Sequence, residues 1–375
     1  MKHKKYLQVA WVLLLTTIAL TLTITPVSAA QNTATNATHN QDTTSINATI
    51  YLTTATLTPI FQDRINQQVP GAVNNAITGI INKLPTADQG WAGQMANTLI
   101  QPSATLRSLS PRQNGLIATL RINLYPGDPQ PINASLLVKF NVQNGSTVQV
   151  TAQPMNGSPA LVNGPLTTLQ IPIGQLNTIN ATPSCGDAAL GVNLQFPISL
   201  GQANPQAQQG STNPAGLAIP QQIQDQRVAQ AGTNSYVEIP AASLASLGNS
   251  IGSIAVDSNL TAKNIGIAVE GSNLVITSDI YLGFLQIASA TTYVQPTAAN
   301  GNLAVSVQKT DLTFFQIFTF PNNSYNQQIE QTLNTKLNGA LAGKFNVSNA
   351  AIGTNSHIPC SAGDSLILTG NTSLI

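Results

Sequence analysis

Two neighbouring stretches decide the fold: GNLAVSVQKTDLTFF at residues 301–315 and SYNQQIEQTLNTKLNGALAG at residues 324–343. In the first stretch apolar side chains alternate with polar ones, which is the period of a half-buried antiparallel strand. In the second, Ser324 and Gln327 fit a capping box, an apolar residue recurs at every fourth position, and Gly343 suits the residue after a helix. The pair predicts a strand followed by an amphipathic helix.

The same two periods recur over the rest of the chain. An apolar stripe over residues 57–81 predicts a second long helix, which Pro70 should divide into two segments. A short helix is predicted around Trp91, Met95 and Leu99. Alternation predicts antiparallel strands at residues 116–124, 136–142, 148–150, 190–198, 260–269, 273–282, 284–294, 302–320, 344–352 and 365–372.

Composition then divides the chain into five segments. We assign residues 1–30 to a signal peptide, 31–50 to a disordered leader, 51–201 to a first α+β half, 202–234 to a Gln/Pro-rich linker and 235–375 to a second α+β half. The linker assignment rests on nine Gln in 33 positions, a low-complexity composition that disfavours a packed core. A long ordered loop that crosses a single domain is the alternative.

The N-terminal residues have the order of a secretory signal peptide. A basic stretch at residues 2–5 precedes an uncharged, mainly apolar run at 6–24 and small residues at 26–30. We expect cleavage near Ala30, with an uncleaved anchor as the alternative, and an extracytoplasmic location, either secreted or associated with the cell envelope. Loss of residues 1–30 changes the net charge from +1 to about −2. The remaining basic residues form no patch, so nucleic acid is not expected as a partner.

Two cysteines, Cys185 and Cys360, give the clearest sign of an internal relation. In an exported chain two cysteines most simply form one disulfide. The segment from Pro183 to Leu190 resembles that from Pro359 to Leu368, because each places a Pro and a Cys before an Asp turn and an apolar strand. A diverged repeat, two neighbouring strands and coincidence all remain open at this point.

One motif raises the question of catalysis. Residues 248–252 match the G-x-S-x-G pattern of a hydrolase nucleophile, Ser250, and Asp279, Asp311 and His357 follow in the order of a hydrolase triad. The nucleophile elbow needs a strand before the serine and a helix after it, whereas the segment after Ser250 has a strand-like pattern. We therefore predict no catalytic residue and no enzyme activity. We also expect no cofactor, and no metal site is predicted from the local spacing of His, Cys and carboxylates.

The portion from Val237 to Gly353 resembles the bacterial envelope members of the tubular lipid-binding (TULIP-type) superfamily, through the strand-then-helix pattern of residues 301–315 and 324–343. The resemblance implies an α+β fold in which long amphipathic helices pack on curved antiparallel sheets, with two related halves and an apolar groove between helix and sheet. The side chains that it places in this groove are Leu282, Leu285, Phe318, Ile329, Leu333, Leu337 and Leu341.

Two classes of function follow from the sequence. In one, an exported chain without catalysis binds an apolar, lipid-like molecule in the groove and also contacts a membrane surface. In the other, the chain is a surface structural or adhesive protein with a filled core. A serine hydrolase that uses Ser250 is the third alternative. The first two differ in whether the core keeps an apolar cavity, which a sequence does not show.

Overall fold

The structure is a computed structural model. It describes residues 43–155, 158, 164–170, 175–199, 235–256, 259–323, 326–327, 329–331, 333–334 and 345–372. The predicted signal peptide, the predicted linker and residues 31–42 of the predicted leader lie outside the described residues. None of the described helices is long and apolar enough to cross a membrane.

A six-stranded middle sheet joins strands from both ends of the chain. Its strands are β1 (Thr43–Thr53), β7 (Gln175–Ala181), β8 (Ala188–Ser199), β9 (Ser235–Pro240), β16 (Phe345–Ile352) and β17 (Ser365–Thr372). They pair in the order β16-β17-β9-β1-β8-β7, and every pairing is antiparallel. Ile46, Ala48, Ile50 and Leu52 alternate along β1 and are all buried, so this strand supplies one face to the core.

A five-stranded N-terminal sheet follows β1 and two helices. The helices are α1 (Thr54–Ile81) and α2 (Thr86–Leu99), and the strands are β2 (Ser103–Arg112), β3 (Gly115–Asn123), β4 (Ile132–Asn144), β5 (Thr147–Pro154) and β6 (Gly164–Gln170). The strands pair in sequence order. Gln62 of α1 bonds to the backbone of β2, and Gln68 donates to the Leu166 carbonyl in β6. Because β2 and β6 are the two edges of this sheet, α1 covers both edges with side-chain amides.

A six-stranded C-terminal sheet follows β9 and the short helix α3 (Ala241–Ser250). Its strands are β10 (Ile254–Ala255), β11 (Leu260–Glu270), β12 (Asn273–Leu282), β13 (Leu285–Ala299), β14 (Asn302–Phe314) and β15 (Phe318–Pro321). They also pair in sequence order. A further helical segment after β15 includes residues 326–327, 329–331 and 333–334. β7 contacts the N-terminal sheet and β16 contacts the C-terminal sheet, so the middle sheet lies between the other two.

The order of elements repeats along the chain. β1 and β9 are neighbours in the middle sheet, and each is followed by a helix, then by a separate antiparallel sheet, then by two strands that return to the middle sheet. Those returning strands are β7 and β8 in the first repeat, and β16 and β17 in the second. Cys185 precedes β8 and Cys360 precedes β17, so the two similar cysteine segments occupy equivalent positions. Two strands separate β8 from β17, which excludes the alternative that they are direct neighbours.

The predicted fold class is wrong. Of the described residues, 56% lie in strands and 23% in helices, so this part of the chain consists mainly of antiparallel sheets rather than of long amphipathic helices packed on sheets. Of the helices with described bounds, only α1 is long, with 28 residues; α2 and α3 have 14 and 10, and no residue of α2 is buried. Alternation does not reveal the strands at residues 43–50, 164–170 and 175–181, whose polar positions include several Thr, although Thr favours strands.

Three local predictions also need correction. Residues 43–50 belong to β1 instead of a disordered leader. α1 continues through Pro70 from Thr54 to Ile81, instead of dividing there. The strand predicted over residues 302–320 is a hairpin, because the chain turns at residues 315–317 between β14 and β15.

Candidate functional site

An apolar cavity of about 230 Å³ lies against the C-terminal sheet. Its walls come from strands β10 to β14, from the end of α3 and from the helical segment after β15. The lining residues are Ile251, Ile254, Val256, Leu260, Ala262, Ile265, Ile267, Ile276, Ser278, Ile280, Ile287, Ala288, Ala290, Thr292, Thr310, Leu312, Phe314, Asn322, Ile329 and Leu333.

Strand periodicity explains why one face of the sheet is so uniformly apolar. Side chains two positions apart point to the same face of a strand, so alternate residues of each strand line the cavity. On β13 those residues are Ala288, Ala290 and Thr292. On β14 they are Thr310, Leu312 and Phe314. Small side chains at the centre of β13 leave the space that a leucine or phenylalanine would fill.

None of the described residues that line the cavity carries a charge. Of its four polar side chains, those of Thr292 and Thr310 lie 3.2 Å apart, oxygen to oxygen, and both residues are buried. Thr310 Oγ1 also donates to Asn326 Oδ1 at 2.8 Å. These polar atoms satisfy one another, and burying a charge without a partner is unfavourable. The arrangement therefore suits an uncharged apolar group.

The helical segment after β15 lies along one side of the cavity and has two faces. Its polar face binds β14, and its apolar face lines the cavity. Glu330 Oε1 accepts from Val307 N at 2.7 Å, and Asn334 Oδ1 accepts from Val305 N at 2.8 Å. Together with Asn326 these side chains follow a four-residue spacing, which places them on one side of a helix and over the open edge of β14. Ile329, offset from them, lines the cavity.

The predicted groove residues have separate locations. Ile329 and Leu333 line the cavity, as the resemblance implied. Leu282, Leu285 and Phe318 are exposed at one end of the C-terminal sheet and are not among the lining residues. Leu337 and Leu341 lie outside the described residues.

Most of the cavity wall was not identified from the sequence. Ile276, Ile280, Ala290 and Leu312 stand in strands that were predicted, and their alternation was the available signal. Alternation alone did not say which face of the sheet would lie under the helix. Ile251 follows α3, a helix of small residues that carried no strong apolar period.

Ser250 has a local structure unlike that of a nucleophile elbow. It ends α3, so a helix precedes it, and its hydroxyl donates to the Leu247 carbonyl at 2.7 Å. Asp279 accepts from Asn264 and Gln286, and Asp311 pairs with Lys309 at 2.8 Å. Within the described part of the chain, no group of three or more His, Cys, Asp or Glu residues has the geometry to hold a metal ion.

A cluster of polar side chains lies beside the disulfide. Cys185 and Cys360 are bonded, with Cα atoms 5.1 Å apart, which confirms their predicted pairing. His357 Nδ1 lies 2.7 Å from Asp187 Oδ2, and the His357 ring stacks on Tyr236 with centroids 6.0 Å apart. Burial raises the pKa of Tyr236, and the charge of Asp187 raises it further. The Asp187 and His357 side chains are both more than half exposed.

Comparison with known proteins identifies no family. No protein-family model matches the chain, and no curated protein matches it significantly. A solved structure described as "Crystal structure of P47 of Clostridium botulinum E1" is similar at 8% identity, covering 88% of this chain and 100% of that chain. Its TM-score is 0.30, which is too low to support any argument about fold or function.

Proposed function

We propose that this chain is an exported, non-catalytic protein that binds an apolar, lipid-like molecule in the cavity of the C-terminal sheet. The observation that supports this most strongly is the cavity of about 230 Å³ with a mainly aliphatic lining. Two of the residues that line it, Ile329 and Leu333, are those that the resemblance to tubular lipid-binding proteins placed in a groove. The disulfide between Cys185 and Cys360 fits a location outside the cytoplasm.

The size of the cavity limits the ligand. It exceeds the apolar cavity of about 150 Å³ that is known to hold benzene, and it is smaller than the roughly 300–1,000 Å³ of drug-sized sites. We therefore propose a single acyl chain or a small apolar molecule as the occupant. A polar head group would remain outside, because the described lining residues include no charged partner for it.

Filling the cavity tests this function. Ala290 is buried at the centre of the cavity wall, so Ala290→Leu should occupy part of the ligand's space. We expect affinity for the fluorescent probe 1-N-phenylnaphthylamine to fall by at least about tenfold, the equivalent of about 1.4 kcal/mol. Ala304→Leu is the matched control, since Ala304 is half-buried on the opposite face of β14 and should leave affinity unchanged.

Leu333→Glu should abolish probe binding, because none of the described lining residues carries a positive charge that could pair with the carboxylate. Mass spectrometry of an organic extract of the purified chain should find a bound apolar molecule. If the extract is empty, the probe does not bind, and Ala290→Leu only stabilises the fold, the cavity is a packing defect. The surface structural or adhesive function would then replace lipid binding.

A further inference from the structure

Seven large apolar side chains are exposed together at one end of the C-terminal sheet. They belong to two segments, residues 282–285 and 314–320, which we name the apolar tip. The exposed residues are Leu282, Phe284, Leu285, Phe315, Ile317, Phe318 and Phe320. Phe284 is 96% exposed, so the described chain leaves that side chain almost entirely to solvent. Exposed apolar patches of this kind mark sites of interaction.

Two hairpin turns build the apolar tip side by side. Leu282 pairs with Leu285 around the β12–β13 turn, and Phe314 pairs with Phe318 around the β14–β15 turn. The turns are adjacent because Phe314 pairs with Ala288, only a few residues along β13 from the first turn. The rings of Phe314 and Phe320 stack with centroids 5.1 Å apart.

The second turn holds its aromatic residue in a strained conformation. Phe315 and Gln316 have φ values of 46° and 59°, a region that bulky residues rarely adopt. In the first turn, by contrast, Gly283 supplies the positive φ of 62° without strain. Phe315 is nevertheless 64% exposed, so the strain is not compensated by burial of its ring within the described chain. Backbone strain of this kind is typical of functional positions.

We propose that the apolar tip inserts into the surface of a lipid bilayer. Residues 280–288 and 312–322 contain no charged side chain, and the adjoining Asp279 and Asp311 come before the turns, where Asp279 accepts from Gln286 and Asp311 pairs with Lys309. Uncharged turns suit insertion below the head groups better than a specific protein contact. The patch consists of protruding turns instead of a groove that a peptide or a second copy would fill. It also adjoins the cavity, since Leu260, which lines the cavity, pairs with Leu282 of the apolar tip.

Insertion of the apolar tip does not require the cavity to hold a ligand. Either proposal can therefore be wrong while the other is right. The test is flotation of the purified chain with vesicles of phosphatidylcholine alone. We expect Phe284→Ser and Phe315→Asn each to weaken binding by about tenfold, because each removes one inserted phenylalanine. Asn tolerates positive φ, so Phe315→Asn should keep the turn. Binding should be unchanged in Trp91→Ser, which removes an exposed tryptophan from α2, the helix before the N-terminal sheet.

Three results would overturn the proposal. The first is a wild-type chain that does not float with phosphatidylcholine vesicles, or that floats only when anionic lipid is added. The second is binding that survives in both tip variants while Trp91→Ser abolishes it. The third is light scattering that shows a wild-type dimer which Phe284→Ser converts to a monomer, because the apolar tip would then be a contact between copies. Unchanged circular dichroism in the variants ensures that any loss of binding is not a loss of fold.

Discussion

Glu238 is the buried carboxylate on which the centre of the middle sheet depends. It is 4% exposed and accepts three hydrogen bonds: from Tyr51 Oη at 2.7 Å, from Ala362 N at 2.6 Å and from Ser365 Oγ at 2.9 Å. Tyr51 lies on β1, Glu238 on β9 and Ser365 on β17. The three donors compensate for the loss of solvation, and they join adjacent strands of both repeats.

Removing the tyrosine donor should destabilise the fold. We expect Tyr51→Phe to lower the free energy of unfolding by about 1–3 kcal/mol, because one oxygen of a buried carboxylate loses its partner. Urea unfolding monitored by circular dichroism measures this change. Tyr125→Phe, at an exposed tyrosine, is the control and should change the value by less than about 0.5 kcal/mol. Equal stability of the two variants would contradict the role given to Tyr51.

The hydrogen-bonded pair of Tyr51 and Glu238 should make the stability of the fold depend on pH in the alkaline range. Burial raises the pKa of Tyr51, and the hydrogen bond and charge of Glu238 raise it further. The unfolded chain releases the phenol proton near pH 10, whereas the folded chain retains it, so the stabilisation is complete below pH 10 and is lost as the pH rises above it. The difference between wild type and Tyr51→Phe should therefore shrink above pH 10. A constant difference from pH 8 to pH 11 would count against this assignment.

At the scale of elements, the first glycine of the G-x-S-x-G motif, Gly248, serves helix packing. A Cβ at Gly248 would lie 2.7 Å from Ile267 N and 3.0 Å from Ile265 O, both in the backbone of β11. Gly248 thus lets α3 approach the C-terminal sheet closely, next to the cavity wall at Ile267. This packing accounts for Gly248 without a nucleophile at Ser250.

Gly248→Ala should separate α3 from β11. We expect the free energy of unfolding to fall by about 1–3 kcal/mol, as for an overpacked contact, since backbone atoms cannot move aside as a side chain can. Gly90→Ala in α2 is the matched control, because nothing lies within 4 Å of its added Cβ. It should be neutral or stabilise by up to about 1 kcal/mol. The midpoint temperature of thermal unfolding, measured for both variants, tests this prediction. An unchanged midpoint in Gly248→Ala would disprove the close packing.

Sequence periodicity located many strands but not their turns or their partners. β11, β12, β16 and β17 form close to the predicted bounds, because alternation is a local property. The turn at residues 315–317 was missed, since FFQIF contains no Gly, Asn or Pro and the turn depends on strained φ values at Phe315 and Gln316. For the candidate site, Ile329 and Leu333 were found from a helical stripe. The cavity itself was not, because the unfilled volume beside Ala290 arises only when several strands are assembled.

At the scale of the whole molecule, the middle sheet makes the two repeats interdependent. β1 pairs with β8 of its own repeat and with β9 of the other, so neither repeat has a complete sheet alone. The loops before β8 and β17 meet at one end of this sheet, where Asp187 N donates to His357 O at 2.8 Å. The Cys185–Cys360 disulfide joins the same two loops.

The disulfide should therefore stabilise the pairing of the repeats more than any local contact. It closes a loop with a sequence separation of 175 residues, and long loops lose the most conformational entropy in the unfolded chain when they are closed. We expect the double variant Cys185→Ser, Cys360→Ser to lose about 2–5 kcal/mol in free energy of unfolding by urea. Dithiothreitol should lower the stability of the wild type by a similar amount and leave the double variant unchanged, which separates loss of the bond from any effect of the serines. The contrary outcome is that both thiols of the native wild-type chain are freely alkylated and that reductant has no effect on stability. The repeats would then be held together without a covalent link. In that case the stability of the middle sheet would rest on strand pairing and the Glu238 hydrogen bonds alone.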